Sequence, residues 1–218
     1  AATATCSTSL DGGQTFLPAV PIYDPSVCLG SIHGHIKVAP DGTVYVPNSS
    51  CGSNGGIVGA AISHDGGQTW VNSTVPGSTS KLDPSIGIGT DNTVYIGWIS
   101  GDNHPHSAVS FDSGVTWVNE ADVGTKLGIK AAVFSEVVAG DGDRASFGFV
   151  GTPEGGDFQD KVNFHGVWHY YIATTYDAGR SWVTVDATPD DPVQVGSICV
   201  SGTVCSVNRG TNDRNLLD

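Results

Sequence analysis

Apolar residues occur in short runs along this chain, broken at regular intervals by Gly, Asp, Asn, Ser and Pro. No stretch keeps a helical period. Runs that alternate or stay apolar for a few residues between turn residues predict short strands. His33–Ala39 predicts a strand, Pro40-Asp41-Gly42 a turn, and Thr43–Val46 a second strand. A polar loop over 47–56 follows, then strands at Ile57–Ser63 and Trp70–Ser73. The same order returns as Asp83–Gly89, the turn Thr90-Asp91-Asn92, Thr93–Trp98, a loop over 100–106, Ser107–Ser110 and Trp117–Asn119. It returns again as Phe134–Gly140, Asp141-Gly142-Asp143, Arg144–Phe149, a long loop over about 151–166, Val167–Thr175 and Trp182–Asp186. Asp41, Asp91 and Asp141 mark the first turns at equal spacing. Repetition at fixed spacing is the signature of a repeat architecture. The interval from Asp141 to Asp177 is the longest of the three because the loop before Val167 is extended, and long loops on rigid repeats are where function concentrates.

One short box repeats four times: Ser9-Leu10-Asp11-Gly12-Gly13-Gln14-Thr15-Phe16, Ser63-His64-Asp65-Gly66-Gly67-Gln68-Thr69-Trp70, Ser110-Phe111-Asp112-Ser113-Gly114-Val115-Thr116-Trp117 and Thr175-Tyr176-Asp177-Ala178-Gly179-Arg180-Ser181-Trp182. The pattern is Ser/Thr-x-Asp-x-Gly-x-Thr/Ser-aromatic. An Asp carboxylate accepts hydrogen bonds from nearby backbone N–H groups and hydroxyls, which pins a turn. Gly13, Gly67, Gly114 and Gly179 supply the positive φ that such a turn needs. Phe16, Trp70, Trp117 and Trp182 open the next strand with a large apolar face to bury. A folding role accounts for every position, so Asp11, Asp65, Asp112 and Asp177 are read as structural rather than catalytic or metal-binding.

The box resembles the Asp-box, or BNR repeat, of the sialidase-like β-propellers. The resemblance implies an all-β propeller of four-stranded antiparallel blades, with the boxes as turns between strands three and four. On that frame residues 1–20 end one blade, 28–75, 82–122 and 131–187 form three blades, and 188–218 approach the next, all in one region. Propellers close with four to eight blades, so further blades or another chain are expected to complete the ring. The boxes then lie away from the usual binding face. Sialidases of this fold use an arginine triad, a Tyr–Glu nucleophile pair, an Asp acid/base and a Phe/Tyr-Arg-Ile-Pro motif, and this set is not recognisable here.

The face opposite the boxes gathers the candidate functional residues. Glu136 and Asp83 head inner strands and are the candidate acid and base. His33 and His35 are spaced to share one strand face. His104 and His106 fall in the 100–106 loop, and His165 lies in the long loop with Glu154, Asp157, Asp160 and Lys161. Trp168-His169-Tyr170 alternates across a strand, one side core, with Trp168 and His169 as the candidate ligand contacts. A His pair without a third ligand is a weak metal signal, so no metal site is assigned.

Charge narrows the partners. The net charge is −13, with only 9 Lys and Arg, so nucleic acid is excluded as a partner for want of a basic patch. No cofactor is implied. The acidic loops leave room for a structural Ca²⁺, although none has a recognised ligand spacing. No apolar run is long enough to enter a membrane. Of 5 cysteines, Cys28 pairs with Cys51 and Cys199 with Cys205, leaving Cys6. Disulfides point to a secreted or cell-surface protein. With no Met, the chain reads as processed or as a piece of a longer one. Asn48 and Asn72 begin glycosylation sequons. The function expected is a secreted or cell-surface glycan- or protein-binding, or structural, module. The alternative is a sialidase-like glycoside hydrolase acting on the same face.

Overall fold

The computed structural model describes residues 4–29, 34–80, 82–200 and 205. The regular structure of the described chain is β apart from one 3₁₀ turn. A two-stranded sheet, β1 (Thr5–Cys6) with β2 (Val20–Pro21), brackets the first box. Three antiparallel sheets follow, each a meander of strands in chain order. The first holds β3 (Lys37–Val38), β4 (Val44–Cys51), β5 (Ile57–Ser63) and β6 (Val71–Thr74). The second holds β7 (Ser85–Ile88), β8 (Val94–Ile99), β9 (Pro105–Ser110) and β10 (Val118–Asp122). The third holds β11 (Ala131–Ala139), β12 (Ala145–Thr152), β13 (Val167–Thr175) and β14 (Val183–Asp186). None of these sheets closes on itself.

The second strands of the sheets are buried almost throughout on both faces. Every residue of β8 is buried, which is why Val94-Tyr95-Ile96-Gly97-Trp98-Ile99 reads as a continuous apolar run. The fourth strands are short and half exposed. One core cluster packs the first sheet on the second through Tyr45, Ile62, Ile86, Ile96 and Trp98. Another packs the second on the third through Tyr95, Val109, Phe147, Phe149 and Trp182. A 3₁₀ turn at Thr125–Leu127 links the second sheet to the third.

Several strands differ from the sequence expectation. In the described part of the first expected strand, only Lys37–Val38 pairs in β3. β4 runs on to Cys51, where a loop was expected over 47–56. The Cys28–Cys51 disulfide and the backbone bonds Leu29 N–Ser50 O and Gly52 N–Val27 O lay residues 27–29 beside its end. Those contacts let the polar run Asn48-Ser49-Ser50 stay extended. Asn48 is fully buried, its carboxamide shared between Leu29 O and Ser50 N. Asn72 likewise accepts from Asp24 N and donates to Ile22 O. Both sequon side chains are therefore engaged within the fold. β9 begins at Pro105, so His106 lies in a strand rather than in the loop. The tail was expected to approach a new sheet. Instead β15 (Gln194–Val195) pairs with the start of β13, opposite Trp168 and Val167. Cys199 is bonded to Cys205, and Cys6 is free.

Candidate functional site

The four boxes are nearly superimposable in their bonding. Asp65 Oδ1 accepts from Gln68 N (3.0 Å) and Thr69 N (2.9 Å), and Oδ2 accepts from Thr69 Oγ1 (2.6 Å). Ser63 Oγ donates to Asp65 and accepts from Gly67 N. Asp11, Asp112 and Asp177 repeat the core of this scheme with Thr15, Thr116 and Ser181. Bonding to the charged form lowers a carboxyl pKa. The Thr69 hydroxyl first, then Thr69 N, holds Asp65 down to about 2, and Thr15 does the same for Asp11.

The box glycines carry positive φ: 90° at both Gly13 and Gly67, 85° at Gly114 and 78° at Gly179. Their second role was not visible in the sequence. A Cβ on Gly114 would lie 2.6 Å from Ile62, and one on Gly179 would lie 2.6 Å from Val109. The third and fourth boxes are thus seated on the third strand of the preceding sheet, and Gly67 of the second box lies against Cys6 and Thr8. Ser73 Oγ donates to Gly114 O, Asn119 Nδ2 to Ala178 O and Thr8 Oγ1 to Gly66 O, which tie neighbouring units across the same seams. Trp117 and Trp182 fill the clefts between sheets, as expected. Phe16 does not: it is 64% exposed, and nothing lies within 4 Å of the Cβ position of Gly13.

The first turns share the box end. Ala178 N donates to Asp143 O, and Thr43 Oγ1 bonds His64 Nδ1. Asp41 N reaches Asn92 Oδ1 and Thr90 N reaches Gly140 O, so successive first turns touch. Arg144 pairs with Asp141 and Asp143 here, and Arg180 sits within its box.

At the other end the first strands converge. Ser135 Oγ donates to Asp83 O (2.8 Å), and Val137 N donates to Ser85 Oγ (3.0 Å). Gly34 lies against Pro84 O so closely that no side chain fits there. Lys37 Nζ on β3 reaches Glu136 Oε1 on β11 at 3.3 Å. Glu136 is aimed by a bulge: β11 pairs Val133 with Val150, then slips and pairs Glu136 with Gly148. Phe134 within the slip has a φ of 56°, an uncommon conformation for a bulky residue and one found where a strand re-aims a side chain. Tyr170 joins this group. Its hydroxyl lies over Gly148, only 2.0 Å from where a Cβ would stand. That hydroxyl has no hydrogen-bond partner among the described residues. Burial, and then the negative charge of Glu136, push the phenol up.

The structure therefore brings together Glu136, Lys37 and Tyr170, of which only Glu136 was singled out as a site residue in sequence. Asp83 is exposed at the same end, joined to Ser135 through its main chain, and its charge contributes to raising Tyr23 after burial of that ring. His35 is exposed just ahead of β3, and His33 lies outside the described residues. Other expected contacts are drawn elsewhere. His104 bonds Asp122 (2.8 Å), and His106 bonds Glu120 (3.2 Å) while stacking on Trp98. Both face the outer strand β10, not a shared pocket. His169 bonds Thr188 O and Asp186. His165 is exposed on the long loop. Trp168 is fully buried under Phe158 and Phe164 and donates to Gly196 O, so its ring presents no face to a ligand. Among the described residues no three His, Cys, Asp or Glu side chains are grouped to hold a metal.

The BNR/Asp-box repeat model matches residues 61–71, the second box with its leading strand. No curated protein sequence matches the chain. Among solved structures, the intramolecular trans-sialidase from Ruminococcus gnavus aligns at 16% identity with a TM-score of 0.54, over 88% of this chain and 41% of that one. The NanB sialidase from Streptococcus pneumoniae aligns at 14% identity and a TM-score of 0.54, over 84% and 28%. A protein of unknown function from Dyadobacter fermentans aligns at 15% identity and a TM-score of 0.50, over 84% and 51%. The chain spans between 28% and 51% of the length of these structures. At these identities the likeness is one of fold.

Proposed function

We propose that this Asp-box repeat protein of sialidase-like fold is a glycan-recognition module whose binding end lies opposite the boxes. The three four-stranded sheets are blades of a propeller, with β3, β7 and β11 innermost. Closing the ring takes further sheets, from the rest of the polypeptide or from another chain. The observation that carries the reading is the meeting of Lys37, Glu136 and Tyr170 at one end, while every box carboxylate at the other end is consumed by its own turn. A cation, a carboxylate and a phenol hydroxyl that carries no bond among the described residues offer the directional polar contacts that orient a sugar. Two of the neighbours of like fold are named a trans-sialidase and a sialidase, which supports a sugar as the ligand class. The two disulfides suit a secreted or cell-surface protein.

A second reading has its own support. Tyr170 beside Glu136 resembles the nucleophile pair of sialidases, with Asp83 as the acid on a neighbouring inner strand. Against it, Arg144 and Arg180 both sit at the box end, where neither meets a substrate carboxylate held near Glu136. Incubating the protein with a panel of aryl glycosides, a sialoside included, separates the two. Turnover abolished by both Glu136→Gln and Tyr170→Phe would replace the binding reading with the hydrolytic one. Saturable glycan binding without turnover supports recognition.

A further inference from the structure

We propose that a cavity between the second and third sheets, off the central axis, binds a single neutral sugar ring. Its volume is about 320 Å³, and it is framed by the loop after β8 and by Gly156–Gln159 of the long loop before β13. Ligand pockets run from about 300 to 1,000 Å³, so this one admits one ring rather than a chain. The extra length of the third repeat builds one wall. Phe158 fixes that wall by setting its edge on Trp168, with ring centroids 5.9 Å apart.

The lining is divided by chemistry. Leu82 and the exposed part of Phe158 give an apolar side suited to the C–H face of a pyranose. Asn103, Asp157 and Gln159 give the polar side. Asn103 sits in the left-handed region, with φ 73°. Its backbone is held at both ends, N–H to Ser100 O and C=O from Ala132 N, each at 2.9 Å. Its carboxamide has no partner among the described residues. Asp157 Oδ1 accepts Gln159 N (3.0 Å), and Gln159 Oε1 accepts Val200 N (3.4 Å). Among the described residues the second Asp157 oxygen and the Gln159 amide N–H groups carry no hydrogen bond and face a ligand. Hydroxyl groups both donate and accept, so a polyol satisfies this mixture. Among the described residues no lysine or arginine lines the cavity, and Asp157 repels an anion. The ligand class is therefore a neutral sugar, not an acidic one. The inference stands apart from the axial site, since neither Glu136 nor Tyr170 contributes to the lining.

The test is a titration by ligand-observed NMR with methyl glycosides of glucose, galactose, mannose and N-acetylglucosamine. N-acetylneuraminic acid serves as the anionic probe and glucosamine as the cationic one. We expect at least one neutral glycoside to saturate with a Kd near about 1 mM. Asn103→Gly keeps the left-handed backbone and removes the carboxamide, and it should weaken that glycoside at least tenfold. Gln159→Ala should weaken it too without touching the strained backbone position. Arg180→Ala, at the box end, should leave it unchanged. Absence of saturation by every neutral probe overturns the proposal, as does tighter binding of N-acetylneuraminic acid or of glucosamine. Binding lost in Glu136→Gln but kept in Asn103→Gly also overturns it, and assigns the sugar to the axial end instead.

Discussion

Lys37 and Glu136 stand 99 residues apart in the chain and 3.3 Å apart in space. One is on the first strand of the first sheet and the other on the first strand of the third. The pair joins the leading strand of the first sheet to that of the third. Both side chains are about one-third exposed, so the pair is partly solvated and contributes at most about 1 kcal/mol to stability. Lys37→Met should leave the denaturation midpoint nearly unchanged while weakening glycan binding about tenfold, about 1.4 kcal/mol. Chemical denaturation and titration on the same sample check both halves. A large stability loss with intact binding would make the pair a structural tie alone.

The box glycines should be unequal. Gly114 combines a φ of 85° with a Cβ position 2.6 Å from Ile62. Gly114→Ala should cost about 2–4 kcal/mol, the sum of left-handed strain and overpacking. Gly66 has a φ of 72° but open space around it, and Ser113 and Ala178 occupy the equivalent position in other boxes. Gly66→Ala should cost about 1 kcal/mol. Equal losses in urea melts would show that seating between sheets does not constrain the boxes.

Acid should loosen the fold through the same turns. Folding lowers the carboxyls of Asp11 and Asp65 from 3.8 to about 2, and lowers Asp112 and Asp177 as well. A carboxyl with a depressed folded pKa contributes stability above its unfolded value, and that contribution is lost as pH falls through the folded one. The melting temperature should therefore be flat with respect to these groups from pH 7 to about 5, and fall from about 5 toward 2. Asp65→Asn should shallow the acid limb. A melting temperature that rises on acidification through this range would reverse the sign.

The two disulfides should differ in weight. Cys28 and Cys51 are 23 residues apart and fully buried, whereas Cys199 and Cys205 are 6 apart. Loop-closure entropy assigns about 3 kcal/mol to the first and about 2 to the second. Paired Cys→Ser variants read this in denaturant melts, and a larger loss for the second pair would contradict it.

Chelation should leave the melting temperature unchanged, because the box carboxylates are already saturated with N–H and O–H donors. A Ca²⁺-dependent rise would show that the acidic loops hold metal after all.

Local chemistry made the turns legible. Ser/Thr-x-Asp-x-Gly specifies its own hydrogen bonds, and Ile57–Ser63 and Val167–Thr175 fall where their apolar runs place them. Contacts made across distance were not legible. β4 extends through a polar run because Cys28 and its neighbours lie alongside. His104 and His106 looked like loop ligands, and Asp122 and Glu120 took them, because the strand expected over Trp117–Asn119 runs on to Asp122. Tyr170 reaches Glu136 only because a bulge shifts the register of β11, and a one-residue slip moves a side chain to the other face. Gly148 between Phe147 and Phe149 was the available signal: a glycine inside an aromatic strand marks a close approach.

The claim that the end opposite the boxes does the recognising is tested most directly by one titration. The glycan bound best on a printed array is titrated calorimetrically into the protein, into Glu136→Gln and into Arg180→Ala at the box end. We expect Glu136→Gln to lose at least tenfold in affinity and Arg180→Ala to bind as the parent does. Affinity lost in Arg180→Ala and retained in Glu136→Gln would put recognition at the boxes and contradict the account.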